Sequence, residues 1–304
     1  MRFDDYLRRI GQPAPCDASL DTLRRLHLGH RESILFENLT IQAGGAISTE
    51  VADIERKFLD EGCGGYCFEH NTLFAAALQD AGFTTTTLLG RVRRGPPDRW
   101  CRTHMVLRVA GLTDGGRVLS ADVGRILSDP ADHVYLADVG FGGIGLLEPM
   151  PLVDGATAEQ GGLAYRLRRE DHLWVLSMRD ADGVDGDMYE FSEDPQTPGD
   201  VAVANHFTAT HPGSIFRQTL TIQRAARSER TILRTDVLTR YRDGHMTEEP
   251  VARERLRDVA RDVFGVELPD GPLVADATPG VRFPSLGRTS AGQPAGADRA
   301  RPAY

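Results

Sequence analysis

The sequence predicts an α+β protein in which a helical first part is followed by a succession of short antiparallel strands. Two observations carry this prediction. Apolar residues recur at helical spacing in the first part, residues 1–83, and the chain then continues as short strand-forming runs separated by Gly, Asp and Pro turns. With 304 residues the chain is long enough for a substantial core and about two domains.

The predicted helices lie on both sides of a glycine-rich turn. The helix after the turn starts at Cys67 and ends at Gly82. Before the turn, residues 34–39 lack a helix period and combine large apolar side chains with Glu37 and Asn38, which need hydrogen-bond partners if they are buried. The apolar spacing predicts the other helices around residues 6–10, 20–27 and 51–59.

After residue 83 most of the predicted elements are strands, as expected for an antiparallel sheet or barrel. Helical periodicity returns only at residues 251–264. The end of the chain, 286–304, is rich in Ala, Gly, Pro and Ser and is predicted to be disordered. The strand-like runs cover residues 84–92, 103–109, 118–123, 133–139, 165–168, 172–178, 216–222 and 231–234.

The charge and the cysteine content exclude several classes of protein. A net charge of −9 and a pI near 5.5 argue against a general nucleic-acid-binding or anionic-membrane surface. Nothing in the sequence has the apolar length of a signal peptide or a bilayer span, which predicts a cytoplasmic protein. Four cysteines, at positions 16, 63, 67 and 101, do not make a disulfide framework and are expected to be thiols.

The chemistry of the chain is predicted to centre on Cys67. The residues Cys67, Asn71, Phe74 and Leu78 share one helix face, which places the cysteine on the first turn of a buried helix. Unpaired N–H groups and the helix dipole at that end stabilise a thiolate, which is the nucleophilic form. The alternative is an inert core cysteine, and this stretch alone leaves both interpretations open.

A nucleophilic cysteine needs a base, and the base needs a group that orients it. His104 lies at the start of one predicted strand, and Asp138 lies at the end of another. If these strands are neighbours, the imidazole and the carboxylate can face the helix end that carries Cys67. The order Cys, His, Asp is not specific, because several classes of cysteine enzyme place the cysteine before the histidine.

Several motifs, in this order along the chain, resemble those of the arylamine N-acetyltransferases. The resemblance covers residues 3–268. The matching segments are Phe-Glu-Asn-Leu at 36–39, Gly-Gly-Tyr-Cys-Phe-Glu-His-Asn at 64–71, Arg-Val at 91–92, His104, Asp-Val-Gly-Phe-Gly-Gly at 138–143, Asn-His-Phe-Thr at 205–208 and Thr-His-Pro-Gly-Ser-Ile-Phe at 210–216.

This resemblance implies three domains around a cysteine-protease-like core. They are a helical domain (1–83), an antiparallel β-barrel domain (84–190) and an α/β lid (191–285). It also implies a ping-pong reaction in which acetyl-CoA acetylates the cysteine and an aromatic amine or hydrazine removes the acetyl group. No metal is implied. By matched position, Cys67 is the nucleophile, His104 the base and Asp138 the orienting group.

The resemblance further suggests where the substrates bind. Phe36 and Phe141 match positions where aromatic residues pack against the acceptor, although both could equally be plain core aromatics. Thr210 and Ser214 fall in the lid region near the coenzyme.

Three departures from the family pattern limit this transfer. Cys63 stands where arginine is usual, which puts any ion pair of that arginine in doubt, and Leu35 stands where proline is usual. The interval between His104 and Asp138 contains an additional segment, 111–132. Asp122 in that segment also precedes Val-Gly, but only Asp138 continues into Phe-Gly-Gly. Relatives that make amide bonds in natural-product assembly remain an alternative.

Two other functions use the same residues. Cys63, Cys67 and His70, together with Cys101 and His104, could supply ligands for a tetrahedral zinc site. A cysteine hydrolase would use the same Cys-His-Asp set with water as the acceptor and would need no CoA. We expect zinc to be absent, because both clusters lie within motifs that acyl transfer explains.

Overall fold

The computed structural model describes residues 1–15, 17–112 and 133–277, and it has the expected α+β architecture. The first part is helical, as predicted. Helix α4 continues through a π-helical turn, Arg56–Asp60, into the glycine-rich turn. The helices of this part are α1 (Phe3–Arg9), α2 (Leu20–Ser33), α3 (Leu39–Gln42), α4 (Val51–Glu55) and α5 (Cys67–Asp80).

Local signals in the sequence explain α2 and α5. The Ser19 hydroxyl accepts the Thr22 backbone N–H at 3.2 Å and so caps the start of α2. In α5 the apolar stripe that includes Phe74 and Leu78 is fully buried against the other helices. Gly82, with φ of +92°, follows the last turn of α5 and lets the chain reverse into the first long strand.

Within the described residues, eight strands form one antiparallel sheet. They are β2 (Thr84–Val92), β3 (Arg102–Ala110), β4 (Tyr135–Ala137), β5 (Met150–Pro151), β6 (Thr157–Gln160), β7 (Leu163–Glu170), β8 (Leu173–Arg179) and β9 (Asp185–Phe191). Their order is β5-β4-β3-β2-β9-β8-β7-β6, so β3 lies between β2 and β4. His104 on β3 and Asp138 just after β4 therefore sit on neighbouring strands, as the sequence analysis required.

A second antiparallel sheet joins the end of the chain to the helical part. Its order is β1-β10-β11-β12-β13, and Phe36 of β1 pairs with Gln223 of β10. The strands are β1 (Phe36–Glu37), β10 (Thr221–Ala225), β11 (Glu229–Arg234), β12 (Val237–Arg242) and β13 (His245–Pro250). The helices of this region are α6 (Pro198–Thr210), α7 (Ile215–Gln218) and α8 (Leu256–Val259), the last of which runs into a π-helical turn, Ala260–Phe264.

Two of the sequence predictions for this region are wrong in part. Residues 216–222 were expected to form one strand, but Ser214 caps the short helix α7 and the strand begins at Thr221. The helix expected at 251–264 is a succession of 3₁₀, α and π turns. The predicted strand at 118–123, the additional segment with Asp122 and the predicted disordered end lie outside the described residues.

In residues 1–15, 17–112 and 133–277, no helix combines the length and the apolar character needed to cross a bilayer.

Candidate active site

The glycine-rich turn delivers Cys67 to the first position of α5, where its side chain is buried. The backbone N–H of Tyr66 donates to the Glu69 carboxylate at 3.1 Å, which satisfies one open donor at this helix end. Gly64 allows the close approach of the turn to the preceding segment, because a Cβ there would lie 2.0 Å from the Leu35 carbonyl oxygen. The sequence thus fixes the position of the thiol through local geometry.

His104 lies between Cys67 and Asp138. Its Nε2 atom is 2.8 Å from Asp138 Oδ2, and its ring also lies beside the Cys67 side chain. The register between β2 and β3 shifts beside it, so that Thr103 has no partner on β2. The Thr103 carbonyl oxygen then lies 3.7 Å from Cys67 Sγ.

Opposite charges dominate the electrostatics of His104 and Asp138. Burial alone would lower the pKa of His104, but the adjacent Asp138 carboxylate and the Cys67 side chain raise it well above its ordinary value. Burial would raise the pKa of Asp138, but His104 and further hydrogen-bond donors lower it. The arrangement therefore favours a protonated imidazole ring between the Cys67 side chain and the Asp138 carboxylate.

Asn71 links the nucleophile helix to the Asp138 carboxylate. Its Nδ2 donates to Asp138 Oδ1 at 3.1 Å and to the Met105 carbonyl at 2.7 Å, and its Oδ1 accepts the Val139 N–H at 3.1 Å. The helix period places Asn71 on the Cys67 face of the helix, but the sequence alone assigned it no role. Its four-residue spacing from Cys67 was the signal that could have revealed one.

Hydrogen bonds and close packing also fix the main chain after β4, at Asp138 and Gly140. Gly140 donates its N–H to Asp138 Oδ1 at 2.9 Å, and a Cβ on Gly140 would come within 2.7 Å of Cys67 Cα. The backbone N–H of Asp138 donates to His27 Nε2 at 3.2 Å. Burial lowers the pKa of His27 to about 4, so His27 is the neutral acceptor that this bond requires. No pattern in the sequence indicated that His27 is part of the site.

Two aromatic rings lie against His104. The centroid of the half-buried Phe141 ring is 5.0 Å from that of His104 in an edge-to-face arrangement, and the Tyr189 ring is 4.8 Å away. Phe36 instead packs against His70 and Phe216 inside the helical core, with ring centroids 6.1 and 6.0 Å apart. Phe141 is therefore the candidate substrate-binding aromatic that is beside the histidine, and Tyr189 is a neighbour that the sequence analysis missed.

The hydroxyls of Thr210 and Ser214 are engaged locally. Thr210 Oγ1 donates to the His206 carbonyl at 2.7 Å, one turn earlier in α6. Ser214 donates to the Thr208 carbonyl and also accepts the Phe216 N–H, which caps α7. Thr210 is exposed at the end of α6 whereas Ser214 is buried. A contact with the coenzyme therefore stays a prediction for both residues.

The only lysine of the chain lies beside two buried carboxylates near the glycine-rich turn. Lys57 Nζ is 2.7 Å from Glu69 Oε1 and 3.9 Å from Glu37 Oε1. Cys63 stands where the family pattern has arginine, so no arginine at position 63 is available as an ion-pair partner. In this chain the counter-charge comes from the π-helical turn after α4.

Replacing Lys57 by methionine is expected to lower the free energy of unfolding by about 3 kcal/mol near neutral pH, because a buried carboxylate loses its counter-charge. The loss should be smaller in mild acid. Burial raises the pKa of Glu69 to about 7 although Lys57 opposes the shift. Without Lys57 the pKa of Glu69 in the folded protein rises further. The stability of the variant therefore falls as pH rises from the ordinary pKa of a glutamate to the raised pKa of Glu69.

Urea denaturation of the Lys57→Met variant at about pH 5.5 and about pH 8 measures this difference. The matched control is Arg56→Met, which removes a side chain that is 62% exposed and should change little at either pH. Equal losses at both pH values for Lys57→Met would show that the two carboxylates do not need the lysine charge.

The cysteines and histidines considered as zinc ligands do not form one cluster within the described residues. Within the described residues, no group of three or more His, Cys, Asp or Glu side chains is arranged to hold a metal ion. His70 lies 2.8 Å from His30 and 3.1 Å from the Leu35 carbonyl. Cys101 is exposed, and Cys63 is a separate free thiol.

The comparisons with known proteins point to one family. A family model described as N-acetyltransferase matches residues 19–124 and 127–273. An arylamine N-acetyltransferase of Escherichia coli is 32% identical over 276 residues, which cover 88% of this chain and 90% of that protein.

Solved structures with the same name share the fold. The arylamine N-acetyltransferase of Nocardia farcinica superposes with a TM-score of 0.77 at 33% identity, covering 91% of this chain and 93% of that one. The Mycobacterium marinum arylamine N-acetyltransferase, solved in complex with CoA, gives a TM-score of 0.75 at 30% identity, covering 86% and 92%. By sequence and by fold, the chain belongs to the arylamine N-acetyltransferase family.

Proposed function

We propose that the protein transfers an acetyl group from acetyl-CoA, through a thioester on Cys67, to the nitrogen of an arylamine or arylhydrazine. One observation supports this most strongly. The ring of His104 joins the Cys67 side chain at the start of α5 to the Asp138 carboxylate. A nucleophile, a base and an orienting group in contact are what covalent acyl transfer needs. The names of the relatives supply the acetyl group and the arylamine, and the relative solved in complex with CoA supports a CoA thioester as the donor.

In the first half-reaction, Cys67 Sγ attacks the acetyl carbonyl carbon as a thiolate. A bond forms between Sγ and that carbon, the bond between the carbon and the CoA sulfur breaks, and the departing sulfur takes the proton of His104. The tetrahedral oxyanion can be met by the Cys67 backbone N–H at the start of α5. A donor of this kind is typically worth ~3 to 4 kcal/mol of transition-state stabilisation.

In the second half-reaction, the amine nitrogen attacks the thioester carbon. The nitrogen proton passes to His104, and Sγ leaves as a thiolate paired with the protonated ring. Aromatic amines suit this step because their low basicity leaves the nitrogen lone pair free near neutral pH. Phe141, edge-on to His104, offers an aromatic surface beside the reacting atoms.

Intact-mass spectrometry of the wild-type protein tests the proposal. Mixing with acetyl-CoA should add one acetyl mass before any amine is present, and 4-aminobenzoate should then remove it and appear as the acetylated amine. The control is the same acetylated protein in buffer without amine. Rapid loss to water that no amine accelerates would indicate a hydrolase. Labelling by a larger acyl-CoA but not by acetyl-CoA would favour an amide synthase.

A further inference from the structure

Three fully buried polar side chains, Tyr6, His30 and His70, form a hydrogen-bonded histidine row that the proposed reaction does not use directly. The Tyr6 hydroxyl is 2.9 Å from His30 Nδ1, and His30 Nε2 is 2.8 Å from His70 Nδ1. His70 Nε2 then lies 3.1 Å from two backbone carbonyl oxygens, those of Leu35 and Gly65. Because the three side chains have no exposed surface, water does not compete for these bonds.

Only one arrangement of protons satisfies every bond of the histidine row. A carbonyl oxygen can only accept, so His70 Nε2 must carry a hydrogen. Burial keeps His70 neutral by lowering its pKa to about 3, and burial lowers the pKa of His30 as well. A neutral His70 accepts at Nδ1 from the Nε2–H of His30, and His30 accepts at Nδ1 from the Tyr6 hydroxyl. Every proton in the row therefore points toward the glycine-rich turn.

The histidine row ends on the peptide group that precedes the nucleophile. The Gly65 carbonyl belongs to the Gly65–Tyr66 peptide, whose other side is held by the bond from the Tyr66 N–H to Glu69. The next peptide carries the Cys67 N–H, which is the donor proposed for the tetrahedral oxyanion. Because the two planar peptides share the Tyr66 Cα atom, a rotation of the first would displace the second.

His70 ties this peptide to the helix that carries the nucleophile. It lies three residues after Cys67 in α5, so its bond to the Gly65 carbonyl joins the turn to the helix itself. The Glu37 N–H also donates to the Gly65 carbonyl, at 2.7 Å, but it does so from the separate strand β1. The Phe58 ring lies edge-on to His70 with 5.2 Å between centroids and restricts rotation of the imidazole.

We propose that His70, supported by His30 and Tyr6, positions the Cys67 N–H for the oxyanion of acyl transfer. This inference rests on the proposed function and assigns a positioning residue within it. His70 acts through the Gly65–Tyr66 peptide rather than on the reacting atoms. Loss of its N–H should weaken acylation of Cys67, in which an oxyanion forms, and spare alkylation of the same thiol, in which none forms.

Acylation and alkylation rates of Cys67 in two variants test the proposal. His70→Leu removes the N–H at nearly constant volume, whereas the amide of His70→Gln can still donate to the two carbonyls. Acetylation by acetyl-CoA and by 4-nitrophenyl acetate should fall about 10- to 100-fold in His70→Leu, the range for a displaced catalytic group. His70→Gln should recover most of the wild-type rate. Alkylation by iodoacetamide, mapped to the peptide that contains Cys67, should keep the wild-type rate in both variants.

Leu78→Ala is the matched control for lost stability. Leu78 is fully buried in the last turn of α5, so its truncation should lower Tm by leaving a cavity. The ratio of the acylation rate to the alkylation rate should nevertheless stay at the wild-type value. Equal falls of both rates in His70→Leu would make His70 structural and overturn the proposal. An unchanged ratio in His70→Leu would overturn it too.

NMR of the wild-type protein with ¹⁵N-labelled histidine tests the histidine row without a destabilising variant. Near neutral pH, His30 and His70 should both carry a hydrogen on Nε2 and none on Nδ1. The His70 signals are identified by their absence in His70→Gln. A hydrogen on Nδ1 of His70 would contradict the row and overturn the proposal.

The same rates separate failure of this inference from failure of the proposed function. If wild-type Cys67 is alkylated by iodoacetamide but not acetylated by acetyl-CoA, the proposed function itself fails. If the wild-type protein is acetylated and His70→Leu keeps the wild-type ratio of the two rates, only this inference fails.

Discussion

The Cys67→Ala variant is expected to carry no acetyl group after mixing with acetyl-CoA and to lose at least about 10⁴-fold in turnover, because the nucleophile of both half-reactions is gone. The substitution removes one buried sulfur atom at the start of α5. The variant should therefore keep the fold and nearly the same Tm. Peptide mapping of the acetylated wild-type protein should place the acetyl group on the peptide that contains Cys67.

The matched controls are Cys63→Ala and Cys101→Ala, which should keep both the adduct and the turnover. Cys63 is only four residues away, but burial and the carboxylates of Glu37 and Glu61 raise the pKa of its thiol. Cys63 therefore remains protonated near neutral pH and is a poor nucleophile. An acetyl group mapped to Cys63 or Cys101 would refute the assignment of Cys67.

The parts of the site that the sequence predicts are those governed by local rules. The glycine turn and the helix period placed Cys67 at the start of α5, and β2 has the predicted bounds, Thr84–Val92. His104 and Asp138 follow from their match to the family motifs, and the strands that position them are neighbours in the sheet. In each case the relevant contacts lie within one element or between adjacent strands.

The parts that the sequence did not reveal depend on contacts between distant segments. Strand β9 begins with Asp-Gly-Asp, which is unfavourable for a strand on its own. Asp187 within it is bound by Arg93 at 2.7 Å and by Arg168 at 2.8 Å, so tertiary ion pairs support the strand. Tyr189 reaches His104 only because β9 forms. Similarly, the pairing of Glu37 with Lys57 could not be seen from either residue alone.

The second large effect is expected for Asp138→Asn, which should lower kcat by about 10⁴-fold, the loss seen when a histidine base loses its orienting carboxylate. In the structure Asp138 holds the Nε2 side of His104 and raises the pKa of the ring. An asparagine at position 138 keeps the side-chain volume, but its amide can place an N–H against the N–H of the His104 ring. This disfavours both the tautomer and the protonated form of His104 that the reaction needs. Loss of the carboxylate also lowers the pKa of His104.

The measurement that distinguishes this role from loss of folding is a pH profile of acylation by acetyl-CoA. Since the protonated ring of His104 then loses its proton at lower pH, the alkaline limb for Asp138→Asn should move toward acid relative to the wild type. A merely structural defect would lower the whole profile without moving it. Asp122→Asn is the matched control, because Asp122 also precedes Val-Gly, and it should keep most of the turnover. A large loss for Asp122→Asn together with a small one for Asp138→Asn would assign the orienting role to Asp122 and place the additional segment after it.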